Sequence, residues 1–451
     1  MSELFWDGNQ NREITDKLFT ITLDNAKNND SAVVALVTRL NKRNGLLLDG
    51  EFFHIRCFAH VMNLVVRAGL EEAKFIIKRL RRSVKYVRSS PSRLQEFKKI
   101  AEEEDIVTKR YLSLDVKTRW NSSYLMIDAA MTFKTAFERL EDTDAFYVKH
   151  VDHVQDGDWS KLLALHVFLE EFYDITNRVS GSRYVTSITY MDELTQTKDL
   201  LDKHIKSEDG DLQAMAKLMN EKFEKYCKIQ DVNQILLVAL VLDPRNKLHY
   251  VEWILSKYFK DAELKAMVEK FKVFMSCLHK KYEAEYLSSV DVEAPTKVLV
   301  QDIAKNAKNA SNRAGRREGF ANLLKRKDHP EDMSDLDKYL QDDVENDDAN
   351  FNILEWWKVK ASTYRSIALM ARDVLSIPIT SVASECAFSS AKRVIDPFRS
   401  SLTPKTTEAL VCTQDWIKGT SLPVIVEEKL EELEAIEKVV LQDMEALSIA
   451  A

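Results

Sequence analysis

The stretch Lys17-Leu18-Phe19-Thr20-Ile21-Thr22-Leu23 alternates in character and is rich in β-branched and aromatic side chains, so it reads as a strand. It stops at Asp24-Asn25, and polar residues run on to Asp30. Residues 31–43 space their apolar side chains three and four apart. Asp30 or Ser31 is placed to cap a helix there, and Asn44-Gly45 to end it. Residues 51–58 read as a second short strand, and residues 60–70 as the start of another helix. Strand, helix, strand, helix is the order of an α/β unit.

Downstream, residues 75–286 are helical almost throughout. In 162–179, 191–205, 212–227 and 264–287 apolar residues recur three or four apart with charges between them, the pattern of a packed bundle. Pro244 interrupts one such run at Leu242-Asp243-Pro244-Arg245. Residues 290–350 change character: 305–327 is rich in Asn, Ala, Lys and Arg, and 328–348 is strongly acidic. Charge blocks with few large apolar residues predict a mobile linker. Folded character is expected again from Phe351-Asn352-Ile353-Leu354-Glu355-Trp356-Trp357, with a helix through Ala371, a turn at Ile377-Pro378 and a helix from about Val382. Residues 427–447 read as a charged helix with Leu430, Leu433, Ile436, Val440, Met444 and Leu447 on one side. The expected fold class is mainly α with a small α/β part, and no repeat of 20–50 residues is apparent.

With 451 residues the chain can bury a large core. Its 45% hydrophobic and 30% charged residues are ordinary for a globular protein. No apolar run reaches the roughly 18 residues a membrane span needs, and Met1-Ser2-Glu3-Leu4-Phe5-Trp6-Asp7 has neither the basic nor the apolar region of a secretory signal. Neither a membrane nor a small-molecule substrate is expected as a partner. The five cysteines, Cys57, Cys227, Cys277, Cys386 and Cys412, form no CxxC pair, which argues against a disulfide framework or a Cys-rich zinc module. A net charge of -7 excludes a polycation that coats DNA by bulk electrostatics, so any nucleic-acid contact has to come from local patches.

Four blocks stand out in order along the chain. The first is Lys17-Leu18-Phe19-Thr20-Ile21-Thr22-Leu23-Asp24-Asn25-Ala26, with Asn29 following. The second is Cys57-Phe58-Ala59-His60 with Val61-Met62-Asn63-Leu64, and the third Thr118-Arg119-Trp120-Asn121-Ser122-Ser123. The fourth runs from Glu355-Trp356-Trp357 to Trp416 and includes Ser384-Glu385-Cys386-Ala387-Phe388-Ser389, Arg393-Val394-Ile395-Asp396, Arg399-Ser400-Ser401-Leu402 and Thr407-Glu408-Ala409-Leu410. In this order they resemble hAT transposases, specifically the plant group of zinc finger BED domain-containing Ricesleeper and Daysleeper proteins. Leu242-Asp243-Pro244-Arg245 is a further, weaker match.

The resemblance implies a partial RNase-H-like fold interrupted by a large helical insertion. It divides the chain into a partial RNase-H-like core (1–74), a helical insertion (75–289), a charged mobile linker (290–350), a hAT C-terminal dimerisation region completing the core (351–420) and an amphipathic helix (421–451). In the family three acids hold two divalent metals, because two ions about 3.5–4 Å apart stabilise both the attacking and the leaving oxygen of a phosphodiester transfer. Mg²⁺, a hard cation, needs carboxylate oxygens. Asp24 matches the second acid and Glu385 the third. The first would sit on an opening strand upstream of Asp24; Asp7, about 17 residues before it, is a poor substitute. Asp24 and Glu385 are therefore expected as remnants of an incomplete triad, with no cofactor and no metal site, and Mg²⁺ only where a longer form completes the triad. The N-terminal zinc finger and the first strands are likewise expected to be missing.

Each candidate has a plainer reading beside it. Asp24 can simply end a strand and cap the next turn, and Glu385 alone reads as a solvated helix residue. Cys57 and His60 have the spacing of half a zinc site with no second half nearby, which favours a buried thiol and a hydrogen-bonded imidazole. Trp120, with Arg119 beside it, matches the position where hAT enzymes stack an aromatic on an unpaired base; a core Trp anchoring two helices is the competing role. Residues 305–327 can touch DNA phosphates or be a solvated linker. Trp356, Trp357, Phe388 and Trp416 are the dimerisation candidates. The expected function is a nuclear, DNA-binding, non-enzymatic hAT derivative that pairs with itself. A fragment of an active transposase and a helical scaffold that never touches DNA are the alternatives.

Overall fold

The computed structural model describes residues 17–43, 45–181, 183–292, 333–348, 350–385 and 403–417. They fall into two compact units, one drawn from Met1–Val232 and Pro378–Ala451, the other from Asn233–Ile377.

The first unit opens with β1 (Ile21–Leu23), α1 (Lys27–Arg43) and β2 (His54–Arg56). The strands pair in parallel, with Ile21 opposite His54 and Leu23 opposite Arg56. Parallel neighbours need a crossover, and α1 supplies it. Val33, Leu36 and Leu40 on its inner face bury with Leu46 and Phe53 against Leu18, Ile21 and Leu23. Both strands are shorter than the alternation suggested, because only three residues of each join the ladder.

Helices follow: α2 (Phe58–Leu70), α3 (Lys74–Arg88), α4 (Pro91–Glu103), α5 (Trp120–Thr132), α6 (Lys134–Thr143), α7 (Ala145–His150), α8 (Asp156–Val179), α9 (Tyr190–Ile205) and α10 (Gly210–Tyr226). Local signals set their starts. The Ser90 hydroxyl accepts the Arg93 N–H at 3.2 Å with Pro91 in the first turn of α4, and Asp144 accepts from Phe146 and Tyr147 at the start of α7. The apolar helix α2 packs along α10, and Gly69 permits the close approach: a Cβ there would lie 2.7 Å from Met219 Cγ. Since α2 and α10 share a core, the expected boundary at 74/75 does not separate two bodies.

The second unit is built around α11 (Gln234–Val241), a helix buried on every side from Ile235 to Val241. Such all-round apolarity belongs in a core. Around it lie α12 (Lys247–Ser256), α13 (Asp261–Val292), α14 (Asp335–Gln341), α15 (Ile353–Lys360) and α16 (Arg365–Leu375). The helical region 75–289 is thus split at Val232, and residues 351–420 are split at Ile377. The acidic end of the expected linker is also corrected. Ser334 caps α14, whose Leu336 and Tyr339 are buried. Two apolar residues three apart dock the helix while its aspartates stay at caps and rim. Residues 293–332 and the helix expected at 421–451 lie outside the described residues. Helix α17 (Pro404–Ile417) is the last element described.

Candidate functional site

Residues 378–385 return to the ends of the two strands. The Thr22 hydroxyl donates to the Pro378 carbonyl at 2.6 Å, and the Phe58 N–H to the Ile379 carbonyl at 2.9 Å. Beside them the Cys57 N–H donates to Leu23 O at 2.7 Å. The Ser381 N–H reaches Cys57 Sγ at 3.2 Å, and its hydroxyl donates to Glu385 Oε1 at 2.8 Å. Glu385 lies one turn beyond Ser381, its N–H bonded to Ser381 O at 3.0 Å. A chain of hydrogen bonds therefore runs from the last residue of β1, through Cys57 and Ser381, to Glu385.

Asp24 directly follows β1. Its Oδ1 accepts the Ala26 N–H at 3.1 Å and the side-chain amide of buried Asn29. This is a turn-forming role, the plainer of the two weighed for it. Arg56, at the end of β2, donates to Asn25 Oδ1 at 3.0 Å and pairs with Asp30 at 3.3 Å, so a fixed cation stands beside the turn. Asp24 and Glu385 could each offer carboxylate oxygen to a hard cation. Among the described residues no group of three His, Cys, Asp or Glu side chains stands ready to hold a metal.

Ser381 and Arg56 join the site without a motif that marks them in the sequence. Ser381 has no signal of its own, since its partner lies 324 residues away. Cys57 is buried as expected, with the Ser381 amide on its sulfur.

Trp120 is 2% exposed, meets Tyr173 edge-on with centroids 6.5 Å apart, and starts α5 with its N–H on Asn63 Oδ1. A stacked base would require this ring to leave the core, so the packing here is that of a core anchor. Arg119 is exposed at the N-cap of the same helix.

Trp357 is likewise internal. It is 5% exposed, and its Nε1–H donates to the Leu242 carbonyl at 2.8 Å. Asp243, fully buried, takes both ends of the Arg245 guanidinium at 3.0 and 2.7 Å. The Tyr339 ring lies tilted against Trp357, centroids 5.3 Å apart, and its hydroxyl donates to Val241 O at 2.8 Å. Burial raises its hydroxyl pKa well above the usual tyrosine range. Lys247 donates to the carbonyls of Tyr339 and Asp342, and burial lowers its ammonium pKa. The motif Leu242-Asp243-Pro244-Arg245 is thus the seat on which α14 and α15 rest. Half-buried Trp356 bonds Glu345 at 2.9 Å. On α15, Leu354 and Val359 are 54% and 73% exposed, on two flanks about 140° apart around the helix, with Glu355 and Lys358 between them. Phe388 and the Trp416 side chain lie outside the described residues.

Three family models match: a ZBED1 RNase-like helical domain over residues 55–168, a hAT-like transposase of RNase-H fold over 188–282, and the hAT family C-terminal dimerisation region over 335–417. The segment 188–282 is helical here, running from α9 into α13, and the strand pair lies upstream. The dimerisation match begins at α14, inside the stretch expected to be linker. Among similar proteins, a putative AC transposase of Zea mays is 35% identical over 90% of this chain and 49% of its own length. Zinc finger BED domain-containing protein RICESLEEPER 2 of Oryza sativa subsp. japonica is 33% identical over 89% of this chain and 56% of its own. The corresponding DAYSLEEPER protein of Arabidopsis thaliana is 30% identical over 89% and 54%. The chain spans about half the length of the curated relatives it matches. The first matched segment holds the second and third sequence blocks and the last holds the fourth, and the protein belongs to the hAT transposase family.

Proposed function

We propose that this chain is a transposase-derived, DNA-associated nuclear protein that pairs with a second copy of itself and does not by itself carry out strand transfer. The observation that carries this reading is the return of residues 378–385 to the strand ends, which ties Glu385 to the strand preceding Asp24. A metal-dependent DNA-transfer site needs the segments that carry two of its carboxylates to meet in this way, which supports descent from such a site. Both are engaged, Asp24 in its turn and Glu385 with Ser381. Two carboxylates give two Mg²⁺ ions few of the oxygens they require. The match to the hAT dimerisation region supports self-association. Within it, Leu354 and Val359 are exposed apolar side chains available to a partner, as are Val344 and Leu410, while Trp357 is buried beneath.

A second reading rests on the same arrangement: Asp24 and Glu385 serve as two of three acids in a longer, Mg²⁺-dependent form. Incubating the purified chain with hairpin, nicked and blunt DNA in Mg²⁺ or Mn²⁺ separates the two. The expected result is no nicking and no strand transfer. Metal-dependent cleavage that disappears in Asp24→Asn and in Glu385→Gln would overturn the proposal and show both carboxylates to be catalytic.

A further inference from the structure

Helix α3 holds seven Lys and Arg residues and no Asp or Glu, in a chain whose net charge is -7. At about 100° per residue, Lys74, Lys78, Arg81, Arg82, Lys85 and Arg88 share one face. Ile77, Leu80, Val84 and Val87 occupy the buried one.

The arginines are committed to the fold. Arg81 grips Asp115 through two bonds of 2.5 and 2.6 Å, and the Ser123 hydroxyl holds the same carboxylate at 2.7 Å. Arg88 donates to the Leu112 carbonyl at 2.8 Å. Together they tie the segment between α4 and α5 along α3, with exposed Lys117 just past Asp115. Arg79 and Arg82 hold Asp152, and Arg79 also holds Asp158.

The lysines are not so committed. Lys74, Lys78 and Lys85 are exposed and form no ion pair among the described residues. They span roughly 16 Å of helix axis at about 1.5 Å per residue. Like charges four apart on one helix repel each other, and among the described residues no carboxylate pairs with these three. Exposed Glu71 and Glu72 sit just ahead of the helix, so its middle and C-terminal turns are the more positive.

We propose that the lysine face of α3, with Lys117 beside it, lies along the phosphate backbone of duplex DNA and supplies sequence-independent affinity. This rests on the DNA-associated reading above and names the surface that would serve it. A rigid helix and a clamped neighbouring segment present the charges in fixed places, and a polyanion is the partner that an unneutralised row of this kind fits.

The test is anisotropy of a labelled duplex with the full chain, with salt varied from about 50 to 200 mM. Each lysine that neutralises a phosphate contributes about 0.9 to the slope of log K against log salt. The triple variant K74Q/K78Q/K85Q should weaken binding and flatten that slope by up to about 2.7. A control with the same charge change on exposed lysines of α10, K217Q/K222Q/K225Q, should leave the slope unchanged. An intact chain that fails to bind DNA at the lowest salt overturns the DNA reading and this inference with it. Binding with an unaltered slope in the triple variant overturns only the assignment to α3. Tighter binding of duplex RNA with the same lysine dependence shows the partner class to be wrong.

Discussion

Trp357 illustrates how a single residue can be conspicuous in a sequence for one reason and important in the fold for another. An aromatic pair late in the chain, in a segment resembling a dimerisation region, reads as an interface. In the structure the Trp357 indole N–H satisfies the Leu242 carbonyl, 115 residues away, at the end of the fully buried helix α11. Sequence pattern gives the burial tendency of an indole but not which chain it buries against; that is decided by a distant contact with no local signature. Trp120 followed the same course, with a core partner in Tyr173. Asp24 and Glu385 were legible only through the family resemblance, whereas the Cys57–Ser381 bridge that connects their elements was not legible at all. The expected outcome for Trp357→Phe, which keeps most of the ring and removes the donor, is a loss of about 1–3 kcal/mol, because it leaves a buried carbonyl unmatched. Trp357→Ala should cost more, about 3–5 kcal/mol, since the ring volume goes too. Urea unfolding of both variants measures this; a Trp357→Phe protein as stable as the parent would show that Leu242 does not depend on the indole.

Among the elements, the short ones hold the surprises. The order strand, helix, strand, helix was readable from period and turn residues, and the long amphipathic helices were readable from spacing. Helix α14 was not, because a run of aspartates masks Leu336 and Tyr339, and only the seat formed by Lys247 and the Leu242-to-Arg245 turn makes docking favourable. The strand pair has the opposite character: an obvious signal and a small result. Two strands alone are marginal in water, and among the described residues β1 is backed by its ladder with β2, the apolar side of α1 and the bond from Thr22 to Pro378. Helix α16, by contrast, buries Ile367, Met370, Ala371 and Val374. Hydrogen exchange should therefore find the amides of Ile21 to Leu23 opening faster than those of Ala368 to Val374. Equal protection would mean that the sheet is stabilised by contacts beyond those described.

At the scale of the whole molecule, the division into two units changes how self-association has to be tested. A truncation before Phe351 looks natural from the sequence, since the dimerisation region was expected to begin there. In the structure, however, residues 353–375 form part of the core of the second unit, with Ile353, Trp357, Ile367 and Met370 buried. Removing them would unfold that unit and abolish any interface trivially. Point substitutions avoid the difficulty. Leu354 and Val359 are 54% and 73% exposed on α15, so an aspartate at either position meets solvent in the monomer and should disturb the fold by no more than about 0.5 kcal/mol. In a dimer that covers either flank of α15, the carboxylate placed there would be buried without a partner, which is strongly destabilising. Stable homodimers commonly bury more than about 2,000 Å², more than α15 alone can supply, and substituting both flanks of α15 at once tests whether either lies inside that area. Light scattering on the intact chain at micromolar concentration is expected to give twice the 52.0 kDa monomer mass. The variant L354D/V359D is expected to scatter as a monomer with an unchanged far-UV spectrum. An intact chain that runs as a 52.0 kDa monomer would defeat self-association itself, and a dimer that persists in the double variant would move the interface away from α15.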